Sequence, residues 1–401
     1  MNILKKNTIP VIVQIAIVVY ALRLALPVWG FYMPAMVNAA LLAFLYVAIF
    51  VGRVRLRAID FLAVIPIFSV EILSLFYETP SDIVIYIYKI AQLFIFPLLG
   101  LYLIKSDNHP IVRRIFYIVS IAYLVTCVTT YFGCLTYPAA SRALATMSES
   151  ENYDLYSLYT SMNIGSFSFV YAIVLMLPLL IYLVRDKRLN IIIGVIALLM
   201  VVITIFVTEY ATALLFMIVA FMAFIFPKNF STKHIIITML TILVIYWGAK
   251  DYLGHAFDVL ATNVDSEILA ERFYSISDLL LGDEKSVEGD IESRIEVYEL
   301  SVKAFEASPI WGASGINVGG HSFFLDNLGK YGCFGLIAMI FMYSSLYKLY
   351  FKRYKSQPYS GYILLTFFIA LALAILNPKD NLAILTFIVP LFTVAFKTEK
   401  A

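Results

Sequence analysis

The chain has 401 residues, 62% hydrophobic and 14% charged, with a mean hydropathy of +0.89. Soluble domains run nearer half apolar and a quarter charged, so this composition excludes a soluble enzyme, a nucleic-acid binder and a disordered chain. The net charge of +2 indicates no polyanionic partner, and three cysteines with four scattered histidines form neither a disulfide framework nor a metal-binding pattern.

At about 20 residues per membrane helix, the apolar share accommodates roughly a dozen spans. Lys5 and Lys6 precede the first apolar run and no small-residue cleavage site follows, so that run reads as a retained span and not a removed signal peptide. Apolar runs and polar breaks then predict spans over 8–26, 31–51, 58–77, 81–104, 112–134, 161–184, 189–207, 210–226, 233–250, 321–350, 360–377 and 379–397. The expected fold is an all-α integral membrane protein, a single polytopic domain over 1–401 with about 12 transmembrane helices.

Loop charges orient these spans. With the N-terminus in the cytoplasm, that side receives Lys5/Lys6, Arg53/Arg55/Arg57, Lys105/Arg113/Arg114, Arg185/Lys187/Arg188, Lys228/Lys233, Lys348/Lys352/Arg353/Lys355 and Lys397/Lys400. Every internal loop there carries at least two cations, the positive-inside bias, and an even span count puts both termini in the cytoplasm.

Connections on the other side are mostly tight turns, but two are long, 135–160 and 251–320. The second, between the ninth and tenth spans, carries four basic residues (Arg272, Lys285, Arg294, Lys303) against fourteen acidic ones. A loop longer than about 15 residues in a compact architecture is usually functional or disordered, and this one is not low-complexity. Ile295, Tyr298, Val302 and Phe305 recur at helical spacing, with Asp290 as N-cap and Ser308-Pro309 as the stop. The 251–320 loop therefore reads as a folded extracytoplasmic helical element. No internal repeat is visible, whereas inverted-repeat transporters have matched halves.

Ionisable residues within spans are costly and mark function by default. Arg23, Glu71, Lys89 and Glu209 all fall toward the outer leaflet under this topology, as an outward-opening polar cavity requires. The alternative readings are an ion pair between Glu71 and Lys89 across a hairpin, and an Arg23 that snorkels to the interface.

The most informative stretch is IESRIEVYELSVKAFEASPIWGASGINVGGHSFFLDNLGKYGCFG, residues 291–335. A helix bearing Arg294 stops at Ser308-Pro309. A loop with Gly312, Gly315, Gly319 and Gly320 follows, and His321-Ser322 stands at the mouth of the tenth span. Glycines let backbone approach a ligand closely, and a helix N-terminus offers free N–H groups to phosphate. Arginine binds an anion in bidentate fashion, and histidine exchanges a proton near neutral pH. The combination suits departure of a phosphate-linked leaving group under attack by a hydroxyl. Residue by residue, a structural histidine, ordinary glycine turns and a headgroup-facing arginine are the competing readings.

The arginine-bearing helix, the SPI-x-G turn and GGHSFFLDNLGKYG entering a late span resemble the bacterial O-antigen and capsular polysaccharide polymerase (Wzy) and O-antigen ligase superfamily. The resemblance is strongest over about 290–335, and the span count, inside termini and large outer loop extend it across most of the chain. It implies an integral-membrane glycosyltransferase of GT-C type in the bacterial cytoplasmic (inner) membrane, with its active site extracytoplasmic and no metal or other cofactor. The donor would be an oligosaccharide repeat unit on undecaprenyl pyrophosphate, transferred with inversion to the hydroxyl of another lipid-linked unit in O-antigen or capsule biosynthesis. A chain-length regulator and a flippase of the same pathway are the implied partners. Carried across, His321 matches the family's catalytic histidine and Arg294 the loop arginine taken to bind pyrophosphate, while Arg142 resembles an earlier essential arginine. Many ligases have Asn where this chain has Ser322, which favours polymerase over ligase.

A pyrophosphate leaving group requires cations to stabilise its developing charge. Arg294, Arg142, Arg272, Arg23 and Lys89 are the basic groups positioned to supply them, with Lys250, Lys285, Lys303, Lys330 and Lys379 at the rims. Gly320 and Ser322 complete the expected substrate-binding set. The alternatives are an O-antigen ligase, with the same fold and donor, and a flippase or secondary transporter, which would carry its functional charges near the bilayer midplane and small loops on both sides.

Overall fold

A computed structural model describes residues 9–397 except 53, 78–82, 107, 147–151, 228–229, 265–269, 272, 275–276, 278–280, 282–289, 314–317 and 379–380. Arg272, Gly315, Lys285 and Lys379 therefore lie outside the described residues, as do Lys5, Lys6, Arg53, Lys228 and Lys400. The described chain is helical, without a strand. Among the described residues five helices are long and apolar enough to cross a membrane: Ala58–Tyr77, Ile85–Ser106, His109–Thr136, Phe167–Arg185 and Phe323–Tyr354. Shorter apolar helices of 10–17 residues accompany them.

Proline punctuates the first part of the chain. Helix α1 (Val11–Ala25) ends before Pro27, which starts the short α2 (Pro27–Tyr32), and Pro34 caps α3 (Ala35–Val51). Fixed φ and a missing N–H suit proline to the first helical turn, where that donor would be unpaired anyway. The run 58–77 is likewise divided. Helix α4 (Ala58–Val64) passes through a tighter turn at Ile65–Phe68, which contains Pro66, into α5 (Ser69–Tyr77). There follow α6 (Ile83–Ser106), α7 (His109–Thr136), α8 (Ala140–Thr146), α9 (Tyr153–Ser161), α10 (Phe167–Arg185), α11 (Ile191–Val207), α12 (Ala211–Ile225) and α13 (Thr232–Thr262). The long connection 135–160 thus contains α8 and most of α9. Helix α13 runs on to Thr262 instead of stopping near 250. The last elements are α14 (Asp290–Ala307), α15 (Phe323–Leu346), α16 (Ser360–Leu376) and α17 (Val389–Ala395), with wider π-type turns at Tyr347–Phe351 and Ile384–Ile388.

The chain forms two compact units, Met1–Phe224 with Ala338–Ala370 and Asn381–Ala401, and Ile225–Ile337 with Leu371–Asp380. In the first unit α7 packs against α1, α11 and α17. Helices α10 and α17 are apolar all round and buried on nearly every face, as interior helices are. Helix α11 instead buries Ala197, Leu198, Val201 and Ile205 and exposes Ile192, Ile196, Leu199 and Ile203. Comparable exposed apolar residues recur on α1, α3 and α12. Water tolerates no apolar surface on that scale, whereas a bilayer requires it, with backbone polar groups satisfied inside helices. This is a helical membrane-embedded protein.

The second unit holds α13, α14, the first turns of α15 and the end of α16. Ser308 closes α14 and Gly312 N–H returns to the Ser308 carbonyl. The chain then comes back alongside α14 so closely that a Cβ at Gly319 would overlap the Val297 carbonyl oxygen. Helix α15 is kinked at Gly332 (φ 59°, ψ −142°). There the Pro309 and Ile310 carbonyls approach the backbone, and only glycine combines that left-handed φ with so little room.

Candidate functional site

The expected site residues divide between the two units. In the second, Gly320, His321 and Ser322 form one short loop leading into α15. Its centre is Asp326, 8% exposed. One carboxylate oxygen accepts the Gly320 N–H (3.1 Å) and the Ser301 hydroxyl from α14 (2.6 Å), and the other accepts the Ser322 N–H (3.1 Å). The Ser301 hydroxyl also accepts the Gly319 N–H (3.1 Å). Ser322 Oγ accepts the Leu325 N–H (3.0 Å) as the N-cap of α15. The Phe323 N–H donates to the Asn377 carbonyl (2.9 Å), beside the Tyr298 hydroxyl that donates to Leu376 (2.9 Å).

His321 is therefore pinned on both sides by one buried carboxylate while its own ring is exposed. An imidazole presented on a backbone that cannot slide is what proton exchange with an incoming hydroxyl requires. Arg294 occupies the second turn of α14, one turn ahead of Val297, against whose carbonyl Gly319 packs. Helix α14 and the histidine loop are thus one packed assembly.

In the first unit Arg23 and Lys89 line a single cavity of about 680 Å³. Helices α1 and α2 supply Tyr20, Arg23, Leu24, Pro27, Gly30 and Phe31, and α6 supplies Lys89, Gln92, Leu93 and Phe96. Leu144 of α8, Tyr156 and Thr160 of α9, and Ile164 with Ser166 complete the wall. Arg23 Nη1 donates to Asn38 Oδ1 (2.6 Å), whose amide donates to the Tyr88 hydroxyl (2.5 Å). The guanidinium lies over the Tyr20 ring at 5.4 Å. Its Nε is buried and has no hydrogen-bond partner among the described residues. Among the described residues no carboxylate lines the cavity.

Between the lining residues Thr160 and Ile164 stands Asn163, buried and in the left-handed region at φ 57°. Its amide donates to Thr126 Oγ1 (2.8 Å) and Thr129 Oγ1 (3.1 Å), and its carbonyl oxygen accepts the Val28 N–H (3.2 Å). The Gly165 N–H donates to Thr130 Oγ1 (2.7 Å), and Ser141 Oγ donates to the Gly165 carbonyl (2.6 Å). Every buried polar group in this run has a partner, which holds α1, α2, α7 and α8 in register around the opening. Arg142, half-buried on α8, follows Ser141 but does not line the cavity.

Among the described residues no group of His, Cys, Asp and Glu is placed to hold a metal ion. Sequence reasoning singled out His321, Ser322, Arg23 and Lys89 but missed Asp326 and Ser301, which hold the His321–Ser322 loop, and Asn38, which accepts from Arg23. Asp326 carried a signal: an acidic residue in the first turn of a predicted helix, four residues after a serine able to cap it. No protein-family model matches the chain, and no curated protein matches it in sequence.

Proposed function

We propose that this protein is a polysaccharide polymerase of the Wzy type, a membrane glycosyltransferase of GT-C type with about twelve spans and both termini in the cytoplasm. It joins undecaprenyl-pyrophosphate-linked repeat units at the outer face of the bacterial cytoplasmic membrane, in O-antigen or capsule biosynthesis. The observation that carries this reading is the exposed His321 ring on a loop tied at Gly320 and Ser322 to buried Asp326 and packed against the helix of Arg294.

The chemistry follows from those groups. The acceptor hydroxyl attacks the anomeric carbon of the donor glycan and His321 takes the hydroxyl proton. The bond from that carbon to the pyrophosphate oxygen breaks with inversion, and the lipid pyrophosphate departs with the electron pair. Arginine matches phosphate oxygens in bidentate fashion, so Arg294 stabilises the charge that develops on the leaving group. Neither role needs a metal. Ser322 caps α15, and asparagine is an equally good N-cap, so a Ser/Asn difference at this position reflects helix capping and does not separate polymerase from ligase. The acceptor separates them.

Purified full-length protein in lipid nanodiscs, supplied with a lipid-linked repeat unit, tests this reading. The expected product is a ladder of lengthening glycans, formed equally in the presence of EDTA and absent with His321→Ala or Arg294→Ala. A ladder unaffected by both substitutions would refute the site. Transfer only to an acceptor that is not a lipid-linked repeat unit would make the protein a ligase.

A further inference from the structure

The cavity in the first unit has a lining with its own chemical logic. Two cations, Arg23 and Lys89, face it from different helices, and among the described residues no carboxylate lines it. A cation in an apolar helical setting is costly unless it is paired. Arg23 has committed Nη1 to Asn38, while its buried Nε is left without a partner among the described residues. A guanidinium's free N–H groups suit the oxygens of a carboxylate or phosphate. Around these cations the wall alternates aromatic rings (Tyr20, Phe31, Phe96, Tyr156) with neutral hydrogen-bonding residues (Gln92, Thr160). Aromatic faces suit the C–H faces of a sugar ring, and the hydroxyls and amide suit its hydroxyl groups. About 680 Å³ falls within the range of small-molecule sites, roughly 300–1,000 Å³.

We propose that this cavity binds an acidic saccharide, its anionic group held by Arg23 and Lys89 and its ring packed against the aromatic wall. The anion is a carboxylate on the sugar or a phosphate attached to it, and both present the same oxygens to the same cations. The assignment names a ligand class for a cavity lined by the first unit alone, and it is read by binding alone. A failure here leaves the polymerase proposal standing, and the reverse also holds. Where both hold, the repeat units the protein accepts include an acidic or phosphorylated sugar.

Titration calorimetry on the purified full-length protein in detergent provides the test, with glucuronate, glucose 1-phosphate, glucose and inorganic phosphate as probes. At least one acidic sugar is expected to bind about tenfold more tightly than glucose and than phosphate. Tighter binding of glucuronate identifies a sugar carboxylate, and tighter binding of glucose 1-phosphate a sugar phosphate. Lys89 is exposed on the cavity wall, so Lys89→Gln keeps the fold and is expected to weaken that binding about tenfold. Lys89→Arg is expected to retain it. Arg23→Gln should weaken it further, with the Lys89 pair deciding the matter if loss of the Asn38 contact unfolds that variant. Equal affinity for glucose, equal affinity for phosphate, no binding of either acidic sugar, or indifference to Lys89→Gln would overturn the proposal.

Discussion

At the scale of single residues, the histidine loop combines a buried holding group with an exposed ring. Asp326 accepts from Gly320, Ser322 and Ser301, whereas the His321 ring is exposed. A hydrogen bond to a charged group contributes about 1.5–3 kcal/mol, so Asp326→Ala removes several such increments and frees the loop. Thermal unfolding of the purified protein is expected to show a marked loss of stability for Asp326→Ala and a smaller one for Ser301→Ala. His321→Ala should stay within about 0.5 kcal/mol of wild type, as exposed substitutions do, while abolishing activity. A destabilised His321→Ala would mean that the ring is structural. His321 was legible in the sequence because it follows two glycines and opens an apolar run. The partnership of Asp326 with Ser301 was not, because α14 and α15 meet only in the folded unit.

At the scale of elements, hydrophobic spacing located the helices well and their ends less well. The period of Ile295, Tyr298, Val302 and Phe305 and the Ser308-Pro309 stop anticipated α14, which ends at Ala307. Helix α13 overran its expected end because 251–262 is polar enough to read as loop yet holds no glycine–proline break strong enough to stop a helix. Close helix approach was legible only as a run of glycines, whose purpose appears when Gly319 meets Val297. Gly319→Ala is expected to push the histidine loop from α14, lower the unfolding temperature and shorten the polymer. Gly248→Ala in α13, with open space around it, should be neutral or stabilising by up to about 1 kcal/mol, the helix-propensity gain. Equal behaviour of the two variants in the melting experiment would contradict this account of the packing.

At the scale of the molecule, composition alone dictated a membrane protein, and the helices with their exposed apolar faces agree. The basic residues within apolar runs, Arg23 and Lys89, stood out by cost alone. A polar cavity shared by these residues was expected from their placement, but its walls were not legible, because α1 and α6 are far apart in sequence and the polar run through Asn163 is built from three further elements. Loop charge predicted an orientation in which the long 251–320 segment faces outward. The polymerase proposal rests on that orientation together with the His321 loop. Its most direct test is the size distribution of lipid-linked and surface glycan in a strain lacking this protein, complemented by wild type or by His321→Ala. The account predicts collapse to single repeat units, restored to full length by wild type and not by His321→Ala. Full-length polymer persisting in the deletion strain, or its restoration by His321→Ala, would contradict it.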